Sequence, residues 1–183
     1  MSILSTIIKP TNKFRLFTIY GGAGIGKTSL AATFPSPIFI RAEDGLSSIP
    51  TDRMPDAFPL IQHADDVYHQ ITALINEEHQ YKTLVIDSIS KLDRIFTDEI
   101  TKGNASAKAL ALAMGGYGAG YQALSSMHGR VRKGCQLLVD KKDMNIVFLA
   151  HAELTTVDLP DSEPYQQYGL KMEKKFNANY CHM

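Results

Sequence analysis

The chain has 183 residues, 44% of them hydrophobic, which is enough to bury the core of one domain spanning residues 1–183. Its 19 basic and 19 acidic side chains balance, which argues against a global field that would draw the chain to nucleic acid or to a membrane. Two cysteines are too few for a disulfide framework or a zinc site, and no segment has the roughly 20 apolar residues of a membrane helix, so we expect a soluble protein of the reducing cytoplasm.

A glycine-rich turn is the most specific pattern of the chain. Residues 21–28 read GGAGIGKT and satisfy the full G-x-x-x-x-G-K-[ST] pattern. Before them, residues 14–20 are apolar, β-branched and aromatic, which predicts a buried strand. After them, residues 28–33 predict the first turns of a helix that ends at Pro35 and Pro37. Strand, turn and helix together predict a phosphate-binding loop, although glycine-rich turns also occur where nothing binds.

The chemistry of such a loop gives its parts separate roles. Glycines let the backbone N–H groups wrap a phosphate, and the helix N-terminus adds a positive dipole end. Lys27 would reach the β- and γ-phosphates, and the Thr28 hydroxyl would be a ligand for Mg²⁺. The predicted nucleotide-binding residues are Gly21, Gly22, Ala23, Gly24, Ile25, Gly26, Lys27, Thr28 and Ser29. The turn therefore predicts binding of a nucleoside triphosphate.

The next segments alternate between strands and helices. Residues 37–41 predict a short buried strand, and residues 47–59, which hold three prolines, predict a surface loop. Apolar residues at helical spacing predict an amphipathic helix over 64–78. A further strand is predicted at 82–87, followed by a helix over 88–100.

Residues 101–120 break this alternation with small residues and a cluster of glycine and tyrosine. A long helix is predicted over 121–138 and another core strand at 145–150. We expect the polar remainder, 152–183, to be a loop followed by a short helix. Strands that alternate with helices predict an α/β fold with a mostly parallel sheet covered on both faces, and the core of that domain is expected at about 14–151.

Asp87 is the second marker of nucleotide chemistry. Apolar and β-branched residues lead into it, which places its carboxylate at the C-terminal edge of the strand, beside the phosphate-binding loop. There it could hold Mg²⁺ directly or through water; the alternative is a cap for the following helix. Ser88 follows it rather than glutamate, so the chain is a poor match to enzymes that place the water-activating glutamate at that position. A hydrolytic base must come from elsewhere.

Glu43 is the best candidate for that base. It lies just past the strand at 37–41, and the C-terminal ends of parallel strands gather at one edge of the sheet, over the bound phosphates. A carboxylate there could orient or deprotonate the attacking water. Asp44 is adjacent and competes for the role, and both could instead be solvated loop acids.

His151 closes the strand at 145–150 on the same edge. An imidazole at that place could contact the γ-phosphate and report hydrolysis to the loop that follows. The alternative is a histidine with a purely structural role.

Taken together, these segments resemble a RecA-like ATPase core. The resemblance rests on the segments GGAGIGKTS, IFIRAEDGL, TLVIDSIS, GGYGAGYQAL and IVFLAHAE, and it covers about residues 14–175. More narrowly, the chain resembles small phage-encoded AAA-type ATP-binding proteins grouped with the Sak-type single-strand annealing ATPases. The resemblance implies ATP and Mg²⁺ as cofactors, with Glu43 as the catalytic glutamate, Asp87 as the aspartate on the magnesium side and His151 as the polar sensor.

The resemblance also implies a partner. In RecA-like recombinases two loops contact single-stranded DNA, and the corresponding segments here are about 101–120 and 152–170. Tyrosine can stack on any base and lysine neutralises phosphate, so neither demands a particular sequence. The residues of these segments that suit the task are Lys102, Lys108, Tyr117, Tyr121, Tyr165, Tyr168 and Lys171. Lys171, Lys174 and Lys175 could alternatively reach the nucleotide of a neighbouring subunit, or form a solvated helix face.

The chain departs from the RecA-like pattern at its C-terminal end. Such cores usually continue with more strands, whereas this sequence stops at Met183. Either the edge of the sheet is short, or the chain is a truncated version whose oligomer interface is incomplete. We expect nucleotide binding to survive such a loss, because we expect the strand before the phosphate-binding loop to lie centrally; a homo-oligomer is expected if the chain is complete.

The sequence thus predicts an Mg-ATP-binding protein that hydrolyses ATP, and the resemblance implies that it handles single-stranded DNA in phage recombination, annealing or replication. Two alternatives stay open. A small-molecule kinase also uses a phosphate-binding loop, but its lid usually carries several arginines, and the six here cluster only at Arg130 and Arg132. An ATP-dependent switch that loads a protein partner would need no contact with DNA.

Overall fold

The computed structural model of the chain describes residues 7, 16–104, 106–157, 163–173 and 180. These residues form six strands and five α-helices, joined in part by short 3₁₀ turns. The strands are β1 (Leu16–Gly21), β2 (Pro37–Arg41), β3 (Asp56–Ala57), β4 (Thr83–Asp87), β5 (Asn145–Val157) and β6 (Tyr165–Leu170). The helices are α1 (Lys27–Ala31), α2 (Ala64–Asn76), α3 (Ile89–Ile100), α4 (Ala107–Leu112) and α5 (Ala119–Lys142).

The strands form one mostly parallel sheet. Its order is β1-β5-β4-β2-β3, with every neighbouring pair parallel, and β6 pairs antiparallel with the outer half of β5. Parallel neighbours need crossover connections, and helices supply most of them here. The predicted α/β fold with a parallel sheet and flanking helices is confirmed.

The two faces of the sheet carry two separate cores. On β4, Leu84 and Ile86 face the larger core, which is shared with α2, α3 and α5. Val85 faces the smaller core, which α1 and the residues Leu46 and Ile49 cover. Because both faces are covered, every residue of β4 is buried, and its three central residues are apolar.

The position of β1 differs from expectation. We expected the strand before the phosphate-binding loop to lie centrally, whereas among the described strands β1 pairs with β5 alone and ends the sheet. The reason is connectivity: β5, the last strand of the parallel set in the chain, inserts between β1 and β4. The C-terminal end of β1 still reaches the edge of the sheet where the other parallel strands end, since Gly21 lies opposite His151 of β5.

The segment after residue 151 is the second correction. In place of the expected loop, β5 continues to Val157 and the chain returns as β6, so that Leu154 lies opposite Tyr168. Threonine and tyrosine favour extended backbone, which explains the hairpin despite its polar composition. The expected short helix falls mostly on residues outside those the structure describes, apart from 180.

Helix α4 was also not expected. It lies inside the segment 101–120, which we interpreted as irregular, and Ser106 caps it by accepting a hydrogen bond from the Ala109 N–H at 3.0 Å. The long helix α5 begins at Ala119 and ends at Lys142, longer than the predicted 121–138.

A buried series of hydrogen bonds connects residue 180 to the helices. His128 is fully buried, with Nε2 at 2.9 Å from Asp93 Oδ1 and Nδ1 at 2.9 Å from the Tyr180 hydroxyl. The backbone carbonyl of Tyr180 accepts a hydrogen bond from Thr18 of β1 at 2.7 Å. Burial raises the pKa of the Tyr180 phenol, so the phenol stays neutral. Residue 180 is thereby fixed to α3, α5 and β1.

Helices α2 and α5 pack closely because of one glycine. A Cβ built on Gly134 would lie 2.6 Å from Cγ2 of Ile71, a side chain only 3% exposed. We expect Gly134→Ala to lower the free energy of unfolding by about 1–2 kcal/mol, because overpacking costs ~1–3 kcal/mol and exceeds the helix-propensity gain of ~0.5–1 kcal/mol. Urea denaturation measures the change.

The matched control for this prediction lies on the same helix. A Cβ on Gly129 would meet nothing within 4 Å, so Gly129→Ala should be neutral or stabilising. Equal effects of the two substitutions on the urea midpoint would contradict the packing argument.

Candidate functional site

One cavity of about 460 Å³ opens at the C-terminal edge of the parallel strands. The register explains why: parallel pairing sets Arg41 beside Asp87 and Gly21 beside His151, so the segments that follow the strands meet there. The residues that line it are Ala23, Gly24, Gly26, Lys27, Thr28, Ser29, Glu43, Asp44, Gly45, Ser47, Ser48, Asp87 and His151.

Most residues predicted for the site meet in this cavity. Lys27, Thr28, Glu43, Asp87 and His151 all line it, with much of the phosphate-binding loop. Three loop residues predicted for nucleotide binding do not line it: Gly21, Gly22 and Ile25, the last of which is mostly exposed.

The loop itself has the conformation that its glycines permit. Gly24 and Gly26 have φ of 74° and 91°, in the left-handed region that side chains rarely adopt. Lys27 follows as the first residue of α1, and its Nζ donates to the backbone carbonyls of Gly21 at 3.1 Å and Gly22 at 2.7 Å. The ammonium group is thus held inside the loop by the loop's own backbone, next to the amides that would face a phosphate.

Asp87 and Thr28 form a pair of oxygen ligands. The Thr28 hydroxyl donates to Asp87 Oδ2 at 2.9 Å, and Asp87 is only 4% exposed. Burial raises the pKa of the Asp87 carboxyl most, and the nearby Glu43 raises it further, while the Thr28 hydrogen bond, His151 and Lys27 act in the opposite direction. A hydroxyl and a carboxylate are hard oxygen donors of the kind that Mg²⁺ prefers, so these two residues fit a magnesium ion.

Ser88, and not Asp87, is the residue that caps the following helix. Ser88 is the N-cap of α3, and its hydroxyl accepts a hydrogen bond from the Lys91 N–H at 3.3 Å. The carboxylate of Asp87 is therefore directed to Thr28 and the cavity rather than to the helix.

Glu43 and His151 form the other pair of the cavity. His151 Nε2 lies 2.8 Å from Glu43 Oε1, and both side chains are about 30% exposed. The backbone N–H of Glu43 reaches the Asp87 carbonyl at 3.3 Å, which links this pair to β4. A ring that donates to the carboxylate would hold its orientation toward the cavity.

Asp44, the competing base, has a different environment. Its carboxylate is 65% exposed and lies 3.7 Å from the guanidinium of Arg41. Arg41 also donates to the Phe58 carbonyl at 3.1 Å, so its side chain is fixed beside β2. Asp44 therefore lines the cavity but is turned toward solvent and a cation.

Sequence reasoning missed several residues of the site. Ser90 accepts a hydrogen bond from the His151 backbone N–H at 2.9 Å and so fixes the end of the parallel part of β5. Gly45, Ser47 and Ser48 line the cavity from the segment after Glu43. The small, polar run after the acidic pair was the available signal, since large side chains would fill the space.

The residues suggested for single-stranded DNA do not line this cavity. Tyr117 is fully exposed in the turn before α5, whereas Tyr121 is half-buried against the larger core. The other exposed members of the set are Lys102, Lys108, Tyr165, Tyr168 and Lys171. Lys174 and Lys175 lie outside the described residues.

Comparison with known protein families gives a match over most of the chain. A family model described as an AAA domain matches residues 13–180. No curated protein matches the chain. In the part of the chain that the structure describes, no helix is both long enough and apolar enough to cross a membrane.

Proposed function

The chain belongs to the AAA-domain family. From this membership and from the cavity we propose that it binds ATP with Mg²⁺ and hydrolyses it, releasing the γ-phosphate. The observation that carries the proposal is the meeting of Lys27, Thr28, Asp87 and Glu43 around one cavity, although these residues come from three separate segments of the chain.

The four residues would divide the work of phosphoryl transfer. Lys27 and the amides of the loop would stabilise charge on the transferring phosphoryl group. Thr28 and Asp87 would hold magnesium, which when bound would neutralise the phosphate oxygens. Glu43 would orient the attacking water and accept its proton.

Glu43 is favoured over Asp44 as the base. Its carboxylate contacts His151 at the edge of the cavity, while the Asp44 carboxylate faces Arg41 and solvent. A base must lie within hydrogen-bonding reach of the water that attacks the phosphate, which favours the group fixed inside the cavity.

We further propose that ATP hydrolysis serves the handling of single-stranded DNA. Tyr117 is fully exposed, and its backbone has a φ of 50°, in the left-handed region that non-glycine residues uncommonly adopt. On β6, Tyr165 and Tyr168 present two more exposed rings. Exposed rings suit stacking on bases and exposed lysines suit neutralisation of phosphates, without a preference for sequence.

This role is the one expected of the Sak-type annealing ATPases of phages, within a RecA-like core. A homo-oligomer in the cytoplasm of a host cell is part of the same proposal. The β5–β6 hairpin supports it indirectly, because a ribbon of two strands with exposed Leu154 and Tyr168 gains stability when a partner covers it.

The deciding experiment measures ATP hydrolysis with and without single-stranded DNA, together with gel shifts in the presence and absence of ATP. An annealing or recombination protein should hydrolyse ATP faster when single strands are added and should retard them in the gel. A small-molecule kinase would show no stimulation, and a switch for a protein partner would bind ATP without retarding DNA. Either outcome would refute the DNA part of the proposal.

Tyr117→Ala tests the stacking surface. We expect affinity for single-stranded DNA to fall roughly 5- to 150-fold, because stacking of one base on an aromatic ring contributes about 1–3 kcal/mol. Fluorescence anisotropy of a labelled oligonucleotide measures the change. ATP hydrolysis without DNA should stay at the wild-type rate, since Tyr117 does not line the cavity.

Tyr117→Phe is the matched control. It keeps the ring and removes only the hydroxyl, so it should bind DNA as the wild type does. If alanine and phenylalanine at this position bound DNA equally well, the ring would not be a stacking platform.

A further inference from the structure

Gly45 lies against the two side chains that would hold magnesium. A Cβ built on this residue would lie 2.6 Å from Asp87 Oδ2 and 3.1 Å from Thr28 Oγ1. Real Cβ atoms essentially never approach another heavy atom within 3.0 Å. Even the methyl group of alanine therefore has no room here unless the Asp87 carboxylate moves.

Backbone conformation does not explain this glycine. Its φ of −82° and ψ of −18° lie in the right-handed region, which any residue adopts. Gly24 and Gly26, in the same cavity, have positive φ and owe their identity to conformation. At position 45 the requirement is space.

The segment around Gly45 has little freedom to withdraw. The backbone N–H groups of Ala42 and Glu43 both reach the Asp87 carbonyl, at 2.7 and 3.3 Å. One residue after Gly45, Leu46 is 4% exposed in the smaller core. The segment is thus anchored on both sides of position 45, so an added side chain would displace the Asp87 carboxylate.

We propose that Gly45 is a positioning residue for the magnesium site. Its missing side chain lets the backbone after Glu43 touch the Asp87–Thr28 pair while leaving both oxygens in the orientation that a cation needs. The inference rests on the proposed function, because that function is what assigns Thr28 and Asp87 as the metal ligands. It concerns how the metal is held and not how ATP is bound by the loop.

Gly45→Ala tests it, with Gly129→Ala as the matched control. Binding of a fluorescent ATP analogue is measured once with Mg²⁺ and once with EDTA, and thermal unfolding is followed for each protein. We expect Gly45→Ala to weaken binding at least about tenfold in Mg²⁺, the usual scale for changes next to metal ligands, and to leave binding in EDTA unchanged. Gly129→Ala should match the wild type in both conditions.

The other outcomes are distinguishable. If Gly45→Ala keeps the full gain in affinity from Mg²⁺, the inference is wrong while the proposed function stands. If Gly45→Ala loses binding in EDTA as well, or unfolds many degrees lower, the glycine serves the fold and the inference is again wrong. If the wild-type protein itself binds no nucleotide in Mg²⁺, both the proposed function and the inference are overturned.

Discussion

Lys27→Ala should reduce ATP hydrolysis by at least about 100-fold, the scale on which removal of one preorganised donor acts on a charged transition state. Among the described residues that line the cavity, Lys27 is the only lysine or arginine, so no other such cation of this set could replace it. Its ammonium group already lies inside the loop, 2.7 Å from the Gly22 carbonyl. The alanine variant keeps the loop amides but loses the charge that would face the β- and γ-phosphates.

Steady-state release of inorganic phosphate measures this loss, and equilibrium binding of an ATP analogue shows whether affinity falls as well. Lys91→Ala is the control, because Lys91 is exposed on α3 and does not line the cavity. Hydrolysis by Lys27→Ala at the wild-type rate would refute the assignment of the loop as the site of ATP turnover.

Glu43→Gln should bind ATP normally and hydrolyse it about 10²- to 10⁴-fold more slowly, the range that general base catalysis contributes. Glutamine keeps the size of the side chain, and its amide oxygen can still accept a hydrogen bond from His151. What it loses is the ability to take a proton from the attacking water. Binding and single-turnover measurements together separate these two effects.

Asp44→Asn is the matched control for the base. It removes the charge of the neighbouring carboxylate, which is exposed and faces Arg41, and should change hydrolysis little. A reversal, with Asp44→Asn slow and Glu43→Gln normal, would move the role of base to Asp44.

The site could be predicted in outline from the sequence because most of its parts are local. The phosphate-binding loop needs only consecutive residues, and its flanking strand and helix carry their own patterns. The meeting of Glu43, Asp87 and His151 required one further rule, that parallel strands end at a common edge. The structure places all three at that edge, while their chemical roles remain predictions.

What sequence reasoning missed depends on contacts between distant residues. The place of β1 in the sheet follows from where β5 inserts, which no local pattern reports. The β5–β6 hairpin exposes residues on both faces, so it lacks the alternation that usually marks a strand. Gly45 looks like an ordinary turn residue until Asp87 and Thr28 are brought against it.

The fixed position of Tyr180 has a practical consequence for every assay above. A purification tag or fluorescent fusion joined after Met183 would begin at the fourth position after Tyr180, which is 1% exposed and whose hydroxyl is hydrogen-bonded to His128. A pulling force on the C-terminal end could draw the Tyr180 ring out of its buried position. The His128 imidazole would then lose this hydrogen-bond partner, at a cost of about 1–3 kcal/mol for a buried polar group. Labels and affinity handles are therefore better kept away from residue 180.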